Sequence, residues 1–305
     1  MRCPVCATRG ASASVASSSG DDGLVGSLRA GPGGRSLICA AAHSFDVAKQ
    51  GYVSLLDGRS RGLRSDTSTM VAARERVHGA GAFDPVAAAV AEIVSAVIAE
   101  TVGPAGPVHP YGPVVADIGC GTGHYLAAVL DARPDARGIG IDLSKSCARA
   151  TVRSHIRSAA VVADAWSGLP IRSSSVAAVL SVFSPRNVAD FARILRPGGV
   201  VVTVTPEPGH LAELAGPMDM LRIAEDKDAR LDADMAAQFE PPSARSLTYR
   251  VDASAALVAD LVAMGPTAFH RGEAEIAASA QAMAGDRSTV PVTVAVRVAV
   301  FPLQG

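Results

Sequence analysis

An α/β fold built on a parallel sheet and preceded by a small metal-binding module follows from three features of the 305-residue sequence. From residue 114 onward, short β-branched runs alternate with stretches of helical length. The first of those runs feeds a turn with glycines at alternate positions, 119, 121 and 123. At the N-terminus, Cys3-Pro4-Val5-Cys6 and Cys39-Ala40-Ala41-Ala42-His43 set three thiols and an imidazole at metal-ligand spacing.

Between the two half-sites, residues 7–36 hold seven Ser, seven Gly and no aromatic residue, which predicts a flexible insert within a module spanning 1–56. The more apolar stretch 44–56 should be better ordered. An Ala-rich segment between 65 and 100 predicts two helices broken at 79–81, forming a helical linker over 57–113 that Pro104, Pro107, Pro110 and Pro113 close. The sheet domain then runs from 114 to 305. Its predicted strands are 114–118, 138–142, 161–164, 177–183 and 200–205, with helices at 124–131, 145–155 and 188–195 and a turn at 196–199. Strands separated by helices imply parallel neighbours and a doubly wound sheet. Further on, the pattern predicts a strand at 247–251 and a strongly alternating one at 290–301.

Composition limits the partners. Lys and Arg number 28 against 29 Asp and Glu, so no global field draws the chain to a polyanion and any nucleic-acid surface must be a local patch. The apolar stretches 86–98 and 255–264 are interrupted by Glu92 and Asp260 before reaching spanning length, and the N-terminus has no apolar leader. Neither membrane insertion nor secretion is expected, which places the protein in the cytoplasm. Five cysteines are too few and too unevenly spaced for a disulfide framework in a chain this long.

The glycine turn reads Asp117-Ile118-Gly119-Cys120-Gly121-Thr122-Gly123-His124. Glycines there let the backbone bend sharply and let a ligand approach the amides. A dinucleotide pyrophosphate would be repelled by an anionic side chain two residues before the first glycine. Asp117 is that side chain, and it suits a cationic ligand. S-adenosylmethionine carries an ammonium and a sulfonium and no phosphate. Asp142 closes the next strand, where a carboxylate can accept from both ribose hydroxyls, and Asp164 closes a third, where it could accept from the adenine amino group with Trp166 packed on the ring. Each acid alone could merely cap a helix. Their order along three successive strand ends points to one crevice.

Cys3, Cys6, Cys39 and His43 match the tetrahedral preference of Zn2+ in a closed structural site, leaving no position for catalytic water. The 32 intervening residues are tolerable, since each doubling of a loop costs only about 0.6 kcal/mol against roughly 10 kcal/mol or more from structural zinc binding. Cys120 and Cys147 read as small packing residues.

These motifs, together with His43-Ser44-Phe45-Asp46-Val47-Ala48-Lys49-Gln50-Gly51-Tyr52-Val53 and Val182-Phe183-Ser184-Pro185-Arg186-Asn187, resemble the 23S ribosomal RNA guanine-N1 methyltransferases over nearly the whole chain outside 7–36. The Phe183–Asn187 stretch and Met264-Gly265-Pro266-Thr267-Ala268-Phe269-His270 are similar to the actinomycete branch associated with tylosin-type macrolide resistance. The resemblance implies a Rossmann-like class I methyltransferase sheet. It further implies methylation of a guanosine in a 23S rRNA hairpin near the peptide exit tunnel, on the RNA or on a large-subunit precursor, with the zinc module helping to grip the RNA; a homodimer is compatible with it. Family cofactor contacts fall on Gly121, Thr122, Asp142, His210 and Phe83, the last replacing a tyrosine common in the family. Asp117, Gly119, Gly123, His124 and Asp164 complete the expected cofactor set.

Guanine N1 carries a proton and is poorly nucleophilic until that proton leaves. Pro185, Arg186 and Asn187 follow the fourth strand, beside the transferring methyl in this architecture, and Arg186 could stabilise the charge developing on O6. His210 and Glu207 are candidate proton acceptors, and the base is left unassigned. RNA grip is expected from Lys49, Arg59, Arg61, Arg64 and a helical run of Lys145, Arg149, Arg153 and Arg157, with stacking by Phe45, Tyr52 or Phe83. A small-molecule methyltransferase would use the same crevice, but the zinc module and arginine run argue against it. A noncatalytic zinc RNA-binding protein would not need the acids and glycines.

Overall fold

The computed structural model describes residues 1–8, 26–56, 62–101, 112–220, 223–224 and 226–305. The N-terminal module begins with helix α1 (Pro4–Thr8) and a three-stranded antiparallel sheet of β1 (Arg29–Ala30), β2 (Ser36–Ile38) and β3 (Ser44–Asp46). The expected flexible insert therefore needs correction at its C-terminal end. Leu28 is only 9% exposed, Arg29 and Ala30 pair with Ile38 and Leu37, and Ser27 bridges Arg2. One apolar side chain and a backbone ladder suffice to order a segment whose composition is otherwise that of a linker. Residues 9–25 lie outside the described residues.

The module does not end at a free boundary. Its last strand, β4 (Val53–Ser54), pairs in parallel with β7 (Ser158–Val162) at the edge of the main sheet. The Leu55 amide extends this pairing to the Val162 carbonyl at 2.8 Å.

The remaining strands of that eight-stranded sheet are β5 (Val114–Ile118), β6 (Arg137–Asp142), β8 (Val176–Val182), β9 (Leu195–Pro206), β10 (Ser243–Ala253) and β11 (Val290–Pro302). Their spatial order is β10-β11-β9-β8-β5-β6-β7-β4. Strands β4 to β9 are mutually parallel, whereas β11 runs antiparallel to both β9 and β10. The sheet is thus mixed rather than wholly parallel. Every residue of β8 is buried, as expected of a central parallel strand covered on both faces. The third strand starts earlier than its apolar run suggested and stops at Val162, leaving Asp164 beyond its end. The 196–199 turn is absorbed into β9, with Gly198 at φ 73°. At the outer edge, β10 begins four residues before the expected 247, because its exposed polar start carries no hydrophobic signal.

Helices α2 (Ser68–Gly79) and α3 (Asp84–Thr101) are part of the sheet domain's core. Val86, Val90, Val94 and Ile98 recur every four residues along one stripe and are all fully buried with Leu126, Val129 and Leu130 of α4 (His124–Ala132). Residues 57–61 and 102–111, at the two ends of the expected linker, lie outside the described residues. Among the described residues no single helix is long and apolar enough to cross a membrane; α2 and α3 meet at 82°. The later helices are α5 (Lys145–Ser154), α6 (Val188–Ile194), α7 (Ala212–Ala215), α8 (Lys227–Met235), α9 (Ala255–Ala263) and α10 (Glu273–Ala284). In chain order β5 pairs first with β6 and, on its other side, with β8, so the crevice beyond β5 sits where the strand order reverses, the usual place for a ligand in such sheets.

Candidate functional site

The rim of this crevice is built by the turns after β5 and β8. Gly119, Gly121 and Gly123 adopt φ of 74°, 53° and 77°, a left-handed region that favours glycine. A Cβ on Gly119 would come within 2.5 Å of the Ser184 Cβ, so the two turns touch through a missing side chain. The Ser184 hydroxyl then donates to the Ile118 carbonyl at 2.5 Å. Together they open onto a cavity of about 580 Å3.

Eight of the ten expected cofactor residues line that cavity: Asp117, Gly119, Gly121, Thr122, Asp142, Asp164, Phe83 and His210. Asp117 is 1% exposed and its Oδ2 has no partner among the described residues. Burial, helped by the charge of Asp142, pushes its carboxyl up to about 8. An orphaned buried carboxyl oxygen in a cavity fits a cationic ligand, since an unsatisfied acid is costly unless a partner arrives. Asp142 accepts from the Gly121 amide at 3.0 Å and the Ser144 amide at 2.8 Å. Each of its oxygens keeps lone-pair capacity for a ribose hydroxyl. Asp164 is engaged by its own turn, accepting from the Trp166 amide at 2.9 Å and the Ser167 hydroxyl at 2.5 Å, and Trp166 beside it is 66% exposed on the cavity wall. The donor set as a whole fits S-adenosylmethionine.

Gly123 and His124 stand one layer back. Gly123 caps α4, and a Cβ there would meet the Thr151 Cα at 2.9 Å. His124 stacks at 4.1 Å on His78, whose Nδ1 pairs with the Thr122 hydroxyl at 2.8 Å. His78 itself lines the cavity, and burial holds its imidazole neutral, down to about 3.

Three rings gather on the cavity wall, with Phe83 also 6.2 Å from His78. Phe183 lies 5.8 Å from Phe83 and 5.6 Å from His210, and Phe83 lies 6.0 Å from His210. Phe83 is buried, whereas Phe183 is 40% exposed and adopts a left-handed φ of 51°. A bulky residue in that conformation stores strain of order 1 kcal/mol or more and is typical of functional sites. Burial depresses the His210 pKa to about 4.

The expected catalytic trio, in the turn after Phe183, divides. Pro185 lines the cavity, but Arg186 and Asn187 do not. Asn187 caps α6, accepting from the Asp190 amide at 3.3 Å and donating to the Ala165 carbonyl at 3.0 Å. Arg186 has its Nε buried without a partner among the described residues, and its charged neighbours are Asp228, Asp234 and Lys227 of α8. Glu207 is also outside the cavity and accepts from the Ser246 hydroxyl at 2.5 Å. The residues that sequence reasoning passed over are Phe183 as a ring, His78, Asp66 and Arg74; the last three sit in a helical region with no motif to mark them.

The four expected metal ligands converge, with all donor atoms within 4.8 Å of one another. Cys6 and Cys39 Sγ are 3.7 Å apart, and the His43 Nδ1 lies 3.7, 3.5 and 3.3 Å from the sulfurs of Cys3, Cys6 and Cys39. Two sulfurs on a tetrahedral zinc at ~2.3 Å are separated by roughly 3.8 Å, so the cluster fits Zn2+. Cys3 precedes helix α1 and Cys6 lies on it, and the turn from Cys39 to His43, with Ala42 at φ 60°, returns the imidazole.

The expected RNA-gripping residues divide. Lys49, Lys145 and Arg149 are exposed, and Arg153 is exposed but paired with Glu75 at 2.9 Å. Arg157 lies beyond α5 and donates to the carbonyls of Leu130, Arg133, Pro134 and Ala136, so it staples the backbone and leaves the expected helical run. Tyr52 is buried, and Phe45 packs against the core. Arg59 and Arg61 lie outside the described residues.

Comparison with known proteins agrees with this geometry. The family described as "Methyltransferase domain" matches residues 115–199, and the zinc-ribbon family described as "RlmA, N-terminal" matches residues 31–60. A Micromonospora griseorubida protein bearing a 23S rRNA (guanine-N1) methyltransferase name is 42% identical over 268 residues, covering 87% of this chain and 90% of that one. The 23S rRNA (guanine(748)-N(1))-methyltransferase of Streptomyces fradiae is 41% identical over 245 residues, covering 80% and 83%. A Bacillus subtilis protein with a guanine-N1 methyltransferase name is 34% identical over 190 residues, covering 59% and 62%.

Proposed function

Because this chain belongs to the 23S rRNA (guanine-N1) methyltransferases, we propose that its target is a guanosine in the hairpin near the peptide exit tunnel, and that its host gains tylosin-type resistance. The 41% identity to the guanine-748 enzyme of S. fradiae supports this reading of the target. The chain is an S-adenosylmethionine-dependent rRNA methyltransferase with a zinc ribbon.

When bound, the donor supplies an electrophilic methyl on a sulfonium. Asp117 and Asp142, with the Gly119–Thr122 turn between them, form the cofactor end of the cavity. The three rings of Phe83, Phe183 and His210 receive the extruded guanine, with Phe183 as its stacking face, a reading that moves Phe83 and His210 from the cofactor role expected of them to the base. His210 carries the chemistry there. Its Nδ1 accepts the Ala295 amide at 3.3 Å, so its proton sits on Nε2. A neutral imidazole with a fixed Nε2–H is a donor: it holds guanine O6 and stabilises the charge that grows there as N1 loses its proton. The same tautomer makes His210 a poor acceptor for that proton, which passes to solvent or to the RNA.

The observation that carries this reading is the ring cluster facing a cavity whose acids await a cation. The experiment is incubation with labelled S-adenosylmethionine and 23S rRNA, followed by primer extension. A single stop at the guanosine methylated by the S. fradiae enzyme is expected. A stop elsewhere in the RNA would overturn the proposed target, and label only in a small metabolite would overturn the RNA substrate itself.

A further inference from the structure

Arg74 belongs to none of the motifs that point to the cofactor, yet its guanidinium lies against the glycine turn. Helix α2 carries it into the cavity wall, where Nη1 donates to Asp66 Oδ2 at 2.6 Å and Nη2 donates to the Met264 carbonyl at 2.8 Å. A Cβ on Gly121 would come within 3.2 Å of Nη1, so the guanidinium occupies the space beside the turn that the absent side chain leaves open. Among the described residues only two of its five N–H donors are taken. The pairing with Asp66 keeps the group charged despite its burial.

The same end of the cavity holds Asp117, with an Oδ2 that has no partner among the described residues. Both charges reach one phenol: Arg74 favours ionisation of Tyr125 and Asp117 opposes it. A buried carboxyl group and a guanidinium fork lining one cavity are the complement of an α-amino acid zwitterion. Its ammonium matches the carboxylate, and its carboxylate matches the planar fork, which takes two parallel hydrogen bonds where a lysine would offer a single charge.

We propose that Arg74 binds the α-carboxylate of the methyl donor's amino-acid end, opposite Asp117 at the ammonium, while Asp66 holds the guanidinium in place. Asp66 is suited to that positioning task because its own carbonyl accepts from the Ser144 hydroxyl at 2.8 Å, next to the Asp142 carboxylate. The inference rests on this cavity being the donor site and goes beyond it by assigning a residue to one end of the donor.

The test uses two ligands that differ only in that end. S-adenosylhomocysteine keeps the amino-acid group, and 5′-methylthioadenosine lacks it. Calorimetric titration of the zinc-loaded full chain should show Arg74→Gln binding S-adenosylhomocysteine at least about tenfold more weakly than the native protein while binding 5′-methylthioadenosine equally well. Arg74→Lys should lose less, because the charge survives and the fork does not. Equal binding of S-adenosylhomocysteine by Arg74→Gln and native protein would overturn the proposal, as would a parallel loss of both ligands, which marks a structural role. If Arg74→Gln does not fold, as read by circular dichroism, the ratio of the two affinities in Arg74→Lys decides by the same criterion. A native protein that binds neither ligand would instead remove the donor site itself.

Discussion

The Ala295 amide of β11 donates to His210 Nδ1 at 3.3 Å, and this single bond sets the direction in which the imidazole can act. With the proton fixed on Nε2 and the pKa depressed to about 4, His210 stays neutral through the physiological range. His210→Ala should lower kcat by about 10²-fold to 10³-fold, the usual effect of removing one donor from a developing oxyanion. His210→Gln, which keeps an N–H donor, should recover part of that loss. The profile of log kcat against pH should show no inflection near 6.5 attributable to this residue in the native enzyme; an inflection there that His210→Gln abolishes would contradict the assignment.

Asp117 gives a linkage prediction with a definite sign. Its folded pKa is raised to about 8, above the ordinary carboxylate value, so at pH 7 the free protein holds a proton there. That contribution to stability is full below the unfolded pKa near 4 and is lost as pH rises through 8. A cationic donor favours the ionised form, so binding at pH 7 should release up to one proton. Calorimetry in two buffers of different ionisation enthalpy measures it. Asp117→Asn should abolish the release; proton release unchanged in that variant would place its source elsewhere.

Phe183 separates base stacking from cofactor binding. Phe183→Ala should weaken productive rRNA binding by about 1–3 kcal/mol, the range for one base on one aromatic ring. Its affinity for S-adenosylhomocysteine should stay close to native, and Phe183→Tyr should keep activity. Because φ here is 51°, Phe183→Gly should be more stable than Phe183→Ala by about 1 kcal/mol. Denaturant midpoints of the two variants check the strain, and filter-binding to rRNA checks the stacking.

Removing the metal should act on RNA before it acts on the cofactor. Cys39→Ser, or a strong chelator, should release zinc and weaken rRNA binding by at least about tenfold. The cavity is lined by none of the four ligands, so S-adenosylhomocysteine binding should survive. Metal content and the two titrations are measured on the same sample, and equal loss of both affinities would make the ribbon a folding element of the whole chain.

Local chemistry was legible in the sequence and remote placement was not. Asp117, the glycine turn and Asp142 are written in consecutive strand–turn–helix units, where charge and backbone freedom already select the ligand. The same holds for the four zinc ligands, whose residue types admit few other roles together. By contrast, Arg74 meets Met264 across 190 positions, and no spacing rule connects them. Asn187 is drawn out of the cavity as the cap of α6, and the turn before it carries a left-handed φ at Phe183, a conformation a phenylalanine does not advertise. The insertion of β11 between β9 and β10 is a choice of topology that alternation of apolar residues leaves open.

The pairing of β4 with β7 turns the zinc ribbon and the cavity into parts of one ruler. Val53 and Ser54 are registered on Val161 and Val162, two residues before Asp164 on the cavity wall. Tilting the ribbon would break main-chain hydrogen bonds in the sheet itself, so the distance from the ribbon to the cavity wall is held by the backbone ladder. Any molecule that touches both parts at once meets a spacing the protein does not adjust.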